Sequence, residues 1–307
     1  MCFTSQFWDL TVAGLAIGSV YALIALGYTL VYGVLQLINF AHSEVFMLGG
    51  FAGVFLLRPL VSSQPSGVAS VGYVLLGVIA GGAAGAVAAV LLERTAYRPL
   101  RKRNAPRLAY LISAIGASLF MINIAGKEFG RLAVNVPKLY ENGVVFSVFG
   151  TPVRTQQLVV AGVAAVMLIG LDRLVNGTRL GQGIRAVAQD AETASLMGVD
   201  ISKVITLTFI VGGVLGGAAG FLYGSIFNVQ NTMGFIPGIK AFTAAVLGGI
   251  GNVRGAVLGG LLLGLVENYG VACVDSAYRD VIAFSVLVLV LLVRPSGILG
   301  ERLGRSA

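Results

Sequence analysis

Arg179-Leu-Gly-Gln-Gly-Ile-Arg-Ala-Val-Ala-Gln-Asp-Ala-Glu-Thr-Ala-Ser-Leu-Met-Gly-Val-Asp200 is a polar island between two long apolar segments. Ile184, Val187, Ala188, Ala191, Ala194, Ser195 and Gly198 recur at steps of three and four, which predicts a short helix with one small, apolar face. Arg185, Gln189, Asp190, Glu192 and Thr193 fall mostly on the other side. Gly198 suits the left-handed position just past a helix end, and Asp200 or Ser202 is placed to cap the next helix. A capped amphipathic helix hung between apolar spans has the form of an element gripped by a soluble partner. An ordinary loop with one surface turn of helix has the same spacing, so periodicity alone leaves both open.

The segments around the island set its context. Of 307 residues, 57% are hydrophobic and 11% charged, against about a quarter charged in an average soluble domain. Several runs exceed the roughly 20 apolar residues that cross a bilayer core, and they do not alternate as barrel strands do. The expected fold is therefore an all-α polytopic membrane protein. No Lys or Arg precedes Arg58, so no basic region suggests a cleaved signal peptide. The net charge of +8 reflects Lys and Arg held on one side of a membrane rather than nucleic-acid binding, because the basic residues border spans and lack interleaved aromatics. Cys2 and Cys273 are too few and too far apart for a disulfide framework, and a single histidine argues against a histidine-based metal centre.

Apolar segments run over approximately 10–35, 43–61, 69–92, 108–125, 157–175, 203–226, 239–268 and 279–293. The loop 93–107 carries Arg94, Arg98, Arg101, Lys102, Arg103 and Arg107 against Glu93, the strongest positive-inside signal. That places the loop in the cytoplasm, with the island two spans later on the same side and the tail (Arg294, Arg302, Arg305) there too. The three placements agree only if 239–268 is split at Gly248-Gly-Ile-Gly-Asn-Val-Arg-Gly255, with Asn252 and Arg254 at an inner turn. About 8–9 transmembrane helices result, nine with the split, the amino terminus outside; a re-entrant pair elsewhere would repair the count equally well. The stretch 127–155, with Lys127, Glu128, Arg131, Lys138, Glu141 and Pro152, is an external loop, read as a solvated cap with room for some structure or docking.

Many of the 43 glycines fall four apart: Gly212, Gly216, Gly220 and Gly224, with Gly213 and Gly217 beside them; Gly77, Gly81 and Gly85; and Gly251, Gly255 and Gly259. This spacing predicts close helix packing without water's hydrophobic push. Asn39, His42 and Glu44 sit between two apolar runs, where ionisable groups are expensive. They read as a polar break whose side chains cap the adjoining helices. A proton relay through His42 and Glu44 is the alternative, although a spacing of two does not share a helix face. Glu267, Asn268, Asp275 and Asp280 read as solvated caps at helix ends. No catalytic motif and no Walker loop occurs, so an ATPase driving this chain would be a separate polypeptide.

Along nearly its whole length the sequence resembles the ABC-transporter permeases of the branched-chain amino-acid, LivH-like class. The resemblance rests on Gly18-Ser-Val-Tyr-Ala-Leu-Ile-Ala-Leu-Gly-Tyr-Thr-Leu-Val-Tyr-Gly33, Ile38-Asn-Phe-Ala-His42, Glu93-Arg-Thr-Ala-Tyr-Arg-Pro-Leu100 and Leu111-Ile-Ser-Ala-Ile-Gly116. It rests most on Ile184-Arg-Ala-Val-Ala-Gln-Asp-Ala-Glu-Thr-Ala-Ser-Leu-Met-Gly-Val199 and Lys240-Ala-Phe-Thr-Ala-Ala-Val-Leu-Gly-Gly-Ile-Gly251. It implies a single permease domain over 1–307 in a bacterial inner membrane, with a coupling loop at about 176–202. Its implied partners are cytoplasmic ATPase subunits, a second related permease, a periplasmic binding protein and membrane lipid, with no cofactor held by this chain. Arg185, Asp190, Ala191, Glu192, Ala194 and Gly198 would then form the coupling helix that docks into an ATPase cleft, its small-residue face suiting close approach. Asn39, His42, Glu44, Gly216 and Gly220 are the candidates for the translocation path.

Two departures from the family pattern stand out. Ser43 occupies a place where glycine is common, which raises the question of a positive φ. Arg254 stands where a small residue or proline is common and reads as a solvated arginine. Hydrophobic amino acids are the expected substrates, with urea or short amides as the alternative within the family. An ion-coupled secondary transporter using Glu44 and broken helices is the rival from another class.

Overall fold

The computed structural model describes residues 6–300 apart from 62–64, 66–67, 142, 149 and 295. Cys2, Arg302 and Arg305 lie outside the described residues. In chain order the helices are α1 (Phe7–Leu35), α2 (His42–Leu57), α3 (Val68–Leu92), α4 (Arg98–Lys102), α5 (Arg107–Glu128) and α6 (Thr155–Gly177). They continue as α7 (Arg179–Gln189), α8 (Ala191–Leu196), α9 (Ile201–Phe227), α10 (Phe235–Gly248), α11 (Val253–Cys273) and α12 (Arg279–Val293). An antiparallel hairpin, β1 (Val144–Val148) and β2 (Thr151–Arg154), precedes α6. Among the described residues seven helices are long and apolar enough to cross a membrane, and α2 and α10 are shorter apolar helices. The protein is an all-α polytopic membrane protein.

The ends of these helices assort onto two faces. Thr11, near the start of α1, lies 2.5 Å from the Tyr269 hydroxyl, near the end of α11. Val31 and Val34, near the other end of α1, cluster with Ile184, Val187 and Ala194 of the island, with Tyr97 and Tyr110, and with Val204 and Phe209 at the start of α9. The basic stretch after α3 and the island therefore share one face, as expected. The split of 239–268 is also present: α10 ends at Gly248, and Gly249 (φ 105°) and Gly251 (φ 94°) make the turn into α11. That turn meets the segment after α12, because Ile298 N–H donates to Leu247 O (2.8 Å) and Asn252 Nδ2 to Leu299 O (2.9 Å). Arg254, exposed, stands 3.8 Å from Asp172 near the end of α6, on the same face.

Some expectations are corrected. The stretch 93–107 is not a loop at its start: α3 runs on through a π-helical turn (Glu93–Tyr97) into α4, and a turn follows only at 103–106. The π-turn carries Glu93 and Tyr97 inward, where Glu93 meets Arg101 at 3.1 Å. The outer stretch is more than a solvated cap. It holds the β hairpin, buries Leu139, and pairs Val134 with Val229 through two backbone hydrogen bonds of 2.7 and 3.0 Å.

The two short helices begin inside the membrane. The His42 ring, at the start of α2, lies against Gly27 and Gly216, both well inside their own helices, and Glu44 reaches Ser118, midway along α5. Ser43 and Glu44 in turn face Gly234, the N-cap of α10. At 1.5 Å per residue α2 and α10 span ~24 Å and ~21 Å, short of the ~30 Å hydrocarbon core. Their amino ends meet within the bundle, and each leads to an opposite face. Both follow a long helix that ends on a non-glycine residue with positive φ, Gln36 (54°) after α1 and Asn228 (82°) after α9. The trio α1–α2–α3 thus recurs, inverted, as α9–α10–α11, the repeat architecture common among transporters.

Glycine stripes bind the trios together. On α9, Gly213 and Gly217 face Gly81 and Gly85 of α3, while Gly216 and Gly220 face His42, Phe46 and Gly50 around α2. On α11, Gly260 and Gly264 face Ala22, Gly18 and Gly14 of α1, while Gly255 and Gly259 face α10. A Cβ on Gly217 would overlap the Gly81 carbonyl, a backbone atom that cannot turn aside; a Cβ on Gly170 would meet nothing. Gly217→Ala should therefore lower stability by ~1–3 kcal/mol, the usual range for overpacking, while Gly170→Ala should not lower it, as read by denaturant titration in detergent micelles.

Candidate functional sites: an exposed elbow and a buried charge cluster

The island forms two helices rather than one. Thr178 caps α7, its hydroxyl accepting from Gly181 N–H (3.1 Å). Asp190 is extended (φ −156°, ψ 108°) and breaks the helix, then caps α8 by accepting from Glu192 N–H (2.9 Å) and Thr193 N–H (3.2 Å). An aspartate competes with the helix for backbone donors, which the apolar periodicity does not reveal. The Thr193 hydroxyl and these N–H groups hold the Asp190 carboxyl below the usual carboxylate range. This cap is present at neutral pH and is lost only as pH falls through that lowered value. Gly198 has φ 86°, and Asp200 caps α9 through Lys203 N–H (3.0 Å), both as expected.

Most of the small face turns inward rather than toward solvent, while Ser195 and Gly198 of that face stay exposed. Ile184, Val187 and Ala194 are buried against the bundle, and Ala188 and Ala191 are half-buried. The Arg185 guanidinium folds back onto the Val175 carbonyl at the end of α6. The small face holds the elbow to the permease. Solvent meets Asp190, Glu192, Thr193, Ser195 and Gly198, together with Leu196 and Met197, 84% and 81% exposed. Two large apolar side chains that no described residue covers, at a polar tip, are the part of the island that its periodicity did not single out.

At the junction of α2 and α10 the polar residues are buried but do not cap. The N-cap of α2 is Ala41, without a side-chain cap bond. Asn39 Oδ1 accepts instead from the Tyr97 hydroxyl (3.0 Å), tying the break to the π-turn. Ser118 donates to Glu44 Oε1 (3.1 Å), and Ser43 Oγ lies 2.8 Å from Phe40 O and 3.0 Å from Glu44 Oε1. Ser43 lies within α2 and is not among the positive-φ residues, so the conformational question its side chain raised does not arise. His42 packs edge-on to Tyr28, 4.9 Å between centroids, and over Gly216, while Gly220 lies under Phe46. The structure joins His42 to Gly216 and places Glu44 on a different wall. His42 Nε2 and Glu44 Oε2 are buried without hydrogen-bond partners among the described residues.

A second polar group contradicts its expected role. Glu267 and Asn268 are buried within α11 rather than capping it, and Asp280 is ion-paired; Asp275 alone keeps a capping role, accepting from Ala277 N–H (3.0 Å). Lys240 Nζ, on α10, contacts Glu267 Oε1 (3.0 Å) and Asp280 Oδ1 (2.7 Å), and Arg279 Nε lies 3.4 Å from Glu267 Oε1. The readable signal was Lys240 within an otherwise apolar run, since a charge at that depth needs a partner. The partner's identity depended on how α10, α11 and α12 fold together.

Broken helices meeting at a buried polar junction, in a bundle of inverted trios, define a multi-pass membrane permease. The chain belongs to the family described as branched-chain amino acid transport system / permease component, whose sequence profile matches residues 10–291. It is 41% identical over 300 residues to the high-affinity branched-chain amino acid transport system permease protein LivH of Escherichia coli K12, covering 94% of each chain. It is 43% identical over 295 residues to BraD of Pseudomonas aeruginosa PAO1, again 94% of each. A more distant relative is the probable branched-chain amino acid transport permease protein LivM of Methanocaldococcus jannaschii, 24% identical over 87% of this chain and 79% of that one.

Lys240→Met leaves Arg279 as the one remaining cation beside the buried Glu267 and should destabilise the protein by up to ~3–5 kcal/mol, whereas the double variant Lys240→Met/Glu267→Leu, which removes both buried partners, should recover part of that loss in denaturant titrations.

Proposed function

We propose that this chain is the permease subunit of an ATP-driven importer of branched-chain amino acids in a bacterial inner membrane. The observation that carries the reading is its family membership, with identity to such permeases spread over nearly the whole chain. A second related permease completes the translocation path, separate cytoplasmic ATPases supply the energy, and a periplasmic binding protein delivers substrate. No cofactor is bound by this chain. Arg94, Arg98, Arg101, Lys102, Arg103 and Arg107 lie on the same face as the island, and the positive-inside rule makes that face cytoplasmic.

In this reading the α7–α8 elbow is the coupling element. Its buried face transmits force to α1 and α9, with which Ile184 and Val187 cluster, and its tip enters an ATPase cleft. Glu192, Asp190 and Gly198 shape that tip, Ala191 and Ala194 seat it, and Arg185 locks it to α6. Leu196 and Met197 are added as apolar anchors. The path follows the polar junction of Asn39, His42 and Glu44 and the Gly216–Gly220 stripe, opening as the glycine-lined helices slide.

The test uses the full complex reconstituted in vesicles. Leu196→Asp/Met197→Asp and, separately, Glu192→Arg should leave the permease folded yet reduce ATPase association and substrate-stimulated hydrolysis by about tenfold or more, as expected for loss of an interface anchor. Full association and transport in both variants would show that the elbow is not the coupling element. Uptake of leucine by the permease alone, driven by an ion gradient, would overturn the importer reading itself.

A further inference from the structure

The charge cluster of Lys240, Glu267, Arg279 and Asp280 borders a cavity of about 510 Å³, also lined by Tyr21, Tyr223 and Phe227. The cavity lies beyond the end of α9 and around the start of α10, away from the island face. We infer that this cavity is a substrate-binding station for a zwitterionic amino acid with an apolar side chain, held within the permease itself. The inference rests on the amino-acid permease reading and specifies a site for it.

The cluster presents two positive and two negative groups, so it is neutral and offers both signs within one cavity. Both ion pairs of Glu267 use Oε1, the Tyr21 hydroxyl also reaches this carboxyl, and Oε2 is buried without a well-formed hydrogen bond among the described residues. An ammonium group supplies what that oxygen lacks. Arg279 is one-third exposed and shares a single carboxylate oxygen at 3.4 Å, leaving guanidinium donors for a ligand carboxylate. No side chain caps α10, whose first turn borders the cavity, so its positive end adds to the attraction for that carboxylate. Tyr223 and Phe227, 4.8 Å between ring centroids, form an aromatic wall for the side chain. A molecule with only one charge would meet a like-charged group without compensation. A zwitterion matches both signs and leaves the cluster neutral. Pro237 lines the cavity, while Gly234 and Gly238 on the same helix touch Glu44 and Ser43, so the station stands directly above the α2–α10 junction.

The test is binding of radiolabelled L-leucine to the purified permease–ATPase complex in nanodiscs, without binding protein, competed by 3-methylbutylamine and by 4-methylpentanoate. Leucine should bind and neither single-charge analogue should displace it. Glu267→Gln and Arg279→Gln should each weaken binding about tenfold or more, as expected for loss of a charge-assisted contact. A second readout does not depend on those variants folding. In a background with both native cysteines replaced by serine, Thr232→Cys at the cavity mouth should react with a maleimide more slowly when leucine is present, and at an unchanged rate with either analogue. Equal competition by the analogues, or labelling indifferent to leucine, would overturn the station. If ATP-driven leucine uptake persists while the complex binds no leucine, the station fails and the importer reading stands; if no amino acid is taken up by the complete system, the importer reading fails first.

Discussion

Backbone amides inside a bilayer have no water to turn to, and this constraint governs the rest of the structure. Two helices, α2 and α10, begin within the membrane after non-helical stretches at 36–41 and 228–234. Such stretches survive at membrane depth only when protein surrounds them or they border a cavity. Val229 accordingly pairs both its backbone groups with Val134, and Asn39 and Ala41 are buried. The glycine seams make this enclosure possible, because they let α1, α3, α9 and α11 approach to backbone contact around the breaks.

The same seams suit the motion a transport permease requires. Glycine against backbone is close-packed yet carries few interlocking side chains, so a helix can shift along its neighbour without forcing large side chains through one another. Glu44 at the α2–α10 junction and the Lys240 cluster near it are buried at a cost that apolar residues would avoid. The elbow on the other face is fastened by Ile184, Val187 and Arg185, so displacement of its tip reaches α1 and α9 directly.

Several parts were legible because they depend on one-dimensional physics. Hydropathy over about 20 residues marks a span whatever its neighbours, so most helices emerged where the apolar runs lie. The split at 248–255 followed from glycine and charge in a run too long for one crossing, and the basic stretch and the island share a face as charge bias requires. Gly198 and Asp200 kept their capping roles because caps are local. The resemblance to LivH-like permeases was carried by motifs distributed along the chain, and the family match bears it out.

What the sequence determined by itself was therefore the membrane class, the order of the apolar helices, which polar stretches share a face, and the family. Only the tertiary structure decided that most of the small face of the island turns inward, that Asp190 divides it into two helices, and that Leu196 and Met197 form its exposed tip. Periodicity identifies a face without saying which neighbour covers it. The structure also decided that Glu267, read as a solvated cap, is buried beside Lys240, 27 residues away in sequence, and that α2 starts inside the membrane. Those outcomes depend on which helices meet and at what depth, and a pattern read along the chain carries no record of either.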